Sequence, residues 1–131
     1  MHETIHPEGW APAIGYANGI AASGRTLYLG GQIGWNAQQE FESDDLVDQF
    51  RQTLENIVAI VEAAGGEPGH LVSMTWFMTD LEDYTARLKE IGRAYRGVIG
   101  KHFPAMAVVE VNRLVERRAK VEIQAVAVLP D

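Results

Sequence analysis

The sequence predicts a single α+β domain in which two helices cover one face of a mixed sheet, and three observations lead there. Apolar residues from Leu46 to Val61, and again from Tyr84 to Val98, recur at the three- and four-residue spacing of a helix with one buried stripe. Short runs rich in Val, Thr and aromatic residues flank both segments and read as strands. The order along the chain is ββ-α-β-α-ββ, within 131 residues that are 47% hydrophobic, enough for one core and one domain spanning residues 1–131.

Ala17 to Gly34 reads as a hairpin: an apolar run through Ile20 and Ala22, a turn at Ser23-Gly24, then a strand through Thr26 to Leu29. That strand enters Gly30-Gly31-Gln32-Ile33-Gly34-Trp35. Its closely set glycines predict a bulge or the close approach of another group, which makes the loop a candidate pocket wall. A helix is predicted over Asp44–Ala64, with Ser43 as N-cap and Gly65-Gly66 and Pro68 as the stop. Leu71–Met78 is the next strand, and Asp80 is placed to cap the element after it. A second amphipathic helix is predicted from Leu81 to Ile99, ended by Gly100. Strands over Ala105–Val111 and Lys120–Leu129 close the chain. One sheet face would then carry Met106, Val108 and Val126 beside Glu110, Glu122 and Gln124. Such a face is too apolar for solvent and too charged for a dry core, whereas a subunit interface enclosing a pocket satisfies both features.

Eleven Lys and Arg against eighteen Asp and Glu leave a charge of −7, so nucleic acid and anionic membranes are not expected as partners. Cysteine is absent, which removes disulfides, thiolate nucleophiles and the common zinc sites. The start of the chain lacks a basic stretch followed by an apolar one, and no apolar run is long enough to span a bilayer. A cytoplasmic protein is the expectation. His2, His6, His70 and His102 show no metal-ligand spacing, and no Gly-rich phosphate loop or serine nucleophile elbow occurs. Neither a metal nor a cofactor is expected.

Several segments together resemble the Rid (reactive intermediate deaminase) proteins, formerly grouped with translation inhibitors and endoribonucleases. They are Ala13-Ile14-Gly15-Tyr16, Gly31-Gln32-Ile33, Gln52-Thr53-Leu54-Glu55-Asn56-Ile57, Ala63-Ala64-Gly65, Phe103-Pro104-Ala105 and Val121-Glu122-Ile123-Gln124-Ala125-Val126-Ala127. The resemblance covers nearly the whole chain. It implies a chorismate-mutase-like fold, a homotrimer whose sheets form a central barrel, and small-metabolite pockets in the clefts between subunits. Deaminating members of that family hydrolyse small enamines and imines, such as 2-aminoacrylate, to a keto acid and ammonia without a cofactor.

In those members the residue after Pro-Ala is Arg, which grips the substrate carboxylate through a bidentate pair. Here it is Met106, a thioether that neither donates a hydrogen bond nor carries charge. Val108 stands where a polarisable Cys is common, and Gly30 where a Ser often precedes Gly-Gln. The implied substrate is therefore less anionic than 2-aminoacrylate. By the same resemblance Glu122 positions or activates water, Tyr16 and the Gly31-Gln32 backbone orient the ligand, and Met106, Val108 and Trp35 shape an apolar wall. Each has a plainer reading: an ion-paired strand Glu, a packing Tyr, a strand bulge, and a Trp that packs at a seam with Trp10. Glu110 and His102 read as structural. Arg113, Arg117 and Arg118 form a basic cluster that either replaces the missing anchor or marks a solvated turn.

A non-catalytic binding trimer is the alternative to a deaminase, and an endoribonuclease fits an acidic chain less well.

Overall fold

The structure, a computed structural model, describes residues 2–131. A small antiparallel sheet pairs β1 (Glu3–Ile5) with β2 (Gly19–Ala21). The main sheet contains β3 (Arg25–Ile33), β4 (Leu71–Met78), β5 (Ala105–Glu110) and β6 (Val121–Leu129), in the order β3-β6-β4-β5. β6 is antiparallel to both neighbours and β4 is parallel to β5, so the sheet is mixed.

The predicted hairpin does not form. β2 pairs with the N-terminal β1, while β3 pairs along its length with β6. Between them Gly24 adopts φ +143°, and a β-carbon there would overlap the Leu129 carbonyl. The chain thus crosses from one sheet to the other instead of folding back on itself. The three-residue β1 is too short to show an alternating pattern in the sequence.

Helix α1 (Leu46–Ala63) lies on the sheet. Phe50, Leu54, Ile57 and Val61 are fully buried between them. Its N-cap is Asp45, not Ser43: the Asp45 carboxylate accepts from the amides of Val47 and Asp48. Ser43 Oγ accepts from the Asp45 amide and donates to Asp48 Oδ2, fixing the approach to the cap.

The second predicted helix is two. α2 (Leu81–Ala86) starts at Asp80, whose carboxylate accepts from the Asp83 amide, and α3 (Leu88–Val98) follows. At Arg87 the backbone leaves the helical region, with φ −125° and ψ 30°. Its guanidinium binds Asp45 at 2.7 Å and Glu90 at 2.9 Å, which anchors the break to the start of α1. The turn of direction buries Ile91, Ala94 and Tyr95 of α3, whereas α2 buries no residue.

No helix among the described residues is long and apolar enough to cross a membrane.

Candidate functional site

The chain brings its candidate residues together in two places. The first lies where the N-terminal loop meets the start of β5. The Ala17 amide donates to the Pro104 carbonyl at 3.1 Å, and Ala17 pairs with Ala105 as an isolated parallel bridge. Just before it, Gly15 takes φ +78°, so that Ile14, Gly15 and Tyr16 border the same hollow as Met106. From the other side the Tyr95 hydroxyl donates to the His102 carbonyl, and the Tyr95 ring stacks on Phe103 at 5.5 Å. The His102 ring binds the Leu71 carbonyl at 2.7 Å, so this histidine holds the entry to β5.

The result is a recess of about 390 Å³ with an apolar lining that includes Trp76, Tyr84, Leu88, Ile91, Phe103 and Met106. A shallower extension adds Tyr16, Ala107 and Val108. Tyr16, Met106 and Val108 therefore share one wall. Burial raises the pKa values of the Tyr84 and Tyr95 phenols, so neither serves as a base near neutrality.

The second place is the bulge of β3. Pairing with β6 slips between Leu29 and Gln32, leaving Gly30 and Gly31 in the irregularity. The Glu122 carboxylate lies over Gly31 so closely that a β-carbon at position 31 would overlap it. Glu122 is half-buried, and its carboxylate makes no hydrogen bond or ion pair among the described residues. Gln32 Nε2 donates to the Gly30 carbonyl at 3.1 Å, turning its side chain inward on the bulge. Below the bulge, Asn56 Nδ2 donates to the carbonyls of Ile33 and Trp35 at 3.0 and 2.8 Å, tying the strand exit to α1. Buried Gln49 donates to the carbonyls of Ser43 and Arg118 and accepts from the Lys120 amide, clamping two loops together.

The sequence pattern puts Met106, Val108 and Glu110 on the same sheet face as Glu122 and Gln124, and the register corrects this. Met106 pairs with Met74 and Val108 with Trp76, which pair in turn with Ala125 and Ile123 on the helix-covered face. Glu122 pairs with Phe77 and thus points to the opposite face. Within each strand the expected parity holds; across the sheet the two sets are opposed. Trp35 also leaves the Met106 wall. It packs on Phe41 at 5.8 Å, beside Arg117 and Arg118.

The basic cluster is a tied-down turn rather than an anchor: Arg118 binds Asp44 at 2.9 Å and lies over the Phe41 ring, and neither it nor Arg113 or Arg117 lines the Met106 recess. Glu110 accepts from the Leu81 amide at 3.0 Å and so holds the start of α2. Among the described residues no group of three or more His, Asp or Glu side chains is placed to hold a metal. Tyr84 and Leu88 are legible in the sequence only as helix-stripe residues; nothing in their spacing separates a recess lining from a packed core.

A family model described as endoribonuclease L-PSP matches residues 8–129. A curated relative, the 2-iminobutanoate/2-iminopropanoate deaminase of Salmonella typhimurium, is 38% identical over 132 residues, covering 98% of each chain. The chain belongs to the Rid family. Among solved structures, a Yersinia pestis protein of the conserved Rid family superposes with a TM-score of 0.87 at 28% identity, covering 98% of each chain. Escherichia coli TdcF with bound serine gives 0.70 at 34% identity, covering 97% of this chain and 98% of that one. The Rid-family relationship bears out the resemblance read from the sequence, including its α+β architecture.

Proposed function

We propose that the protein is a cofactor-free Rid-type deaminase that hydrolyses a small imine or enamine in a pocket completed by a neighbouring copy of the same chain. The carrying observation is that the Glu122 carboxylate stands unpartnered over Gly31 on the uncovered sheet face, away from the recess with Tyr16, Met106 and Val108. A second copy, in a cytoplasmic homotrimer, joins these half-sites. The curated Rid relatives named as iminobutanoate and iminopropanoate deaminases support the reaction class.

The chemistry then needs one base and one water. Glu122 takes a proton as water adds to the imine carbon. That proton goes to nitrogen to give the carbinolamine, and Glu122 then moves the carbinolamine hydroxyl proton to nitrogen as the C–N bond breaks, releasing ammonia and leaving a carbonyl. An enamine first takes a proton on carbon to become the imine. The Gly31 backbone and the Tyr16 hydroxyl orient the substrate. Met106 offers no charge pair, so the part of the substrate that meets position 106 is less anionic than the carboxylate of 2-aminoacrylate.

Hydrolysis of imines generated in situ from a panel of amines and amino acids tests this reading. Glu122→Gln should lower the rate by at least about 100-fold, the usual scale for a lost general base, with oligomeric state unchanged. Turnover that survives the substitution removes the mechanism. Met106 favours a second reading, a binding trimer without catalysis. If the wild type is inert and Met106→Arg alone confers 2-imino acid hydrolysis, that reading prevails.

A further inference from the structure

The Met106 recess contains one cation. Arg96, exposed in the last turn of α3, is the sole charged residue in its lining, and its guanidinium makes no hydrogen bond or ion pair among the described residues. By contrast Arg87 and Arg118 are both tied to carboxylates. The Arg96 guanidinium lies back along the helix over Gly92, where a β-carbon would come within 3.2 Å of Nη1. Glycine weakens a helix interior, and here it leaves the space that the guanidinium occupies.

A second observation points to the same recess. Trp76 is 5% exposed, and its ring belongs to the lining. Its Nε1–H is the one buried side-chain donor without a partner among the described residues. A buried donor without a partner is unusual, and an acceptor brought by a ligand would satisfy it.

We propose that Arg96 is the anion-binding residue of this recess and selects carboxylates carrying a bulky aromatic or branched apolar body. The guanidinium pairs with the carboxylate, the indole N–H gains an acceptor, and the body packs against Leu88, Ile91, Phe103 and Met106. This rests on the recess being the substrate pocket of the proposed deaminase. It refines that reading: the positive charge is supplied from α3 instead of from position 106, leaving the space beside Met106 to an apolar group.

The probes are 3-phenylpropionate, its uncharged amide 3-phenylpropionamide, and acetate, titrated into the full-length protein by calorimetry and by ¹H–¹⁵N spectra of the indole N–H signals. Trp76→Phe assigns the Trp76 signal. We expect saturable binding of 3-phenylpropionate that shifts the Trp76 resonance, with the amide and acetate at least tenfold weaker, and at least tenfold loss in Arg96→Gln. Equal affinity for acid and amide, an Arg96→Gln variant that binds like the wild type, or a Trp76 signal that does not move overturns the proposal. Arg96-dependent binding without imine turnover leaves this inference standing and removes the deaminase reading. Turnover without such binding does the reverse.

Discussion

On one face of the main sheet Leu29, Ala125, Met74 and Met106 form a row across four strands, and the first three are sealed from solvent on the side that the helices cover. The parallel row on the other face is Tyr28, Val126, Ser73 and Ala105, where Tyr28 is 79% exposed. Val109 further along β5 is 39% exposed. Both rows are largely apolar, but only one has its cover within the chain. The helix-covered face carries the stability of the protomer, and the open face is left for the neighbouring copies of the proposed trimer. The candidate chemistry divides the same way, with Met106 on one face and Glu122 on the other.

The largest effect expected of breaking this contrast is on the covered face. Phe50→Ala removes a fully buried ring that meets Trp76 edge-on at 4.8 Å, and should cost about 3–5 kcal/mol of unfolding free energy in urea titration. Tyr28→Asp, at a dilution where chains are separate, should change stability by only about 0.5 kcal/mol. Similar costs at the two positions would mean that the faces do not differ as described.

The same Tyr28→Asp substitution should act strongly on assembly. A charge placed in an apolar interface must be desolvated without a partner, and three copies would bring three such charges to one barrel. Sedimentation should find the wild type as a trimer and the variant as a single chain with native circular dichroism. A wild type that runs as one chain at high concentration would detach the open face from any role in assembly, and with it the joining of Glu122 to Met106.

How much of this is legible in the sequence depends on the range of each interaction. The α1 stripe and β4 depend on local periodicity, and the structure places both within two residues of the sequence-based bounds. The predicted hairpin fails because pairing partners are chosen over distance: β3 lies beside β6, whose residues are about a hundred positions away in sequence. Side-chain parity within β5 and β6 is read correctly, yet the relation between their faces depends on β4, which lies between them. The Gly31–Glu122 contact leaves a trace as closely set glycines without naming the partner. Arg96 leaves only Gly92, an unexplained glycine inside a helical pattern. The family resemblance points to Glu122, Tyr16 and Met106, but its motifs do not extend to α3 and so give no sign of this cation.

The smallest effect tests whether the covered face is fastened at its rim as well as through its core. Asp45 caps α1 and also binds Arg87 at the break between α2 and α3, joining the two parts of the helical layer. The Arg87 guanidinium, followed by the capping amides, holds the Asp45 carboxyl below its ordinary 3.8, against the opposing effect of burial. Because the folded value is depressed, the stabilisation is complete above the ordinary value and is lost as pH falls through the depressed one. Asn caps a helix about as well as Asp but cannot form the ion pair. Asp45→Asn should therefore be slightly less stable than the wild type at pH 6 in urea titration, by far less than Phe50→Ala. The gap should narrow as pH falls below 3.8. With its side chains partly open to water, the pair should also weaken in high salt. A gap that stays constant from pH 6 to acid would mean that the cap alone matters, and that the helical layer is held to the sheet by its buried residues without help from this rim.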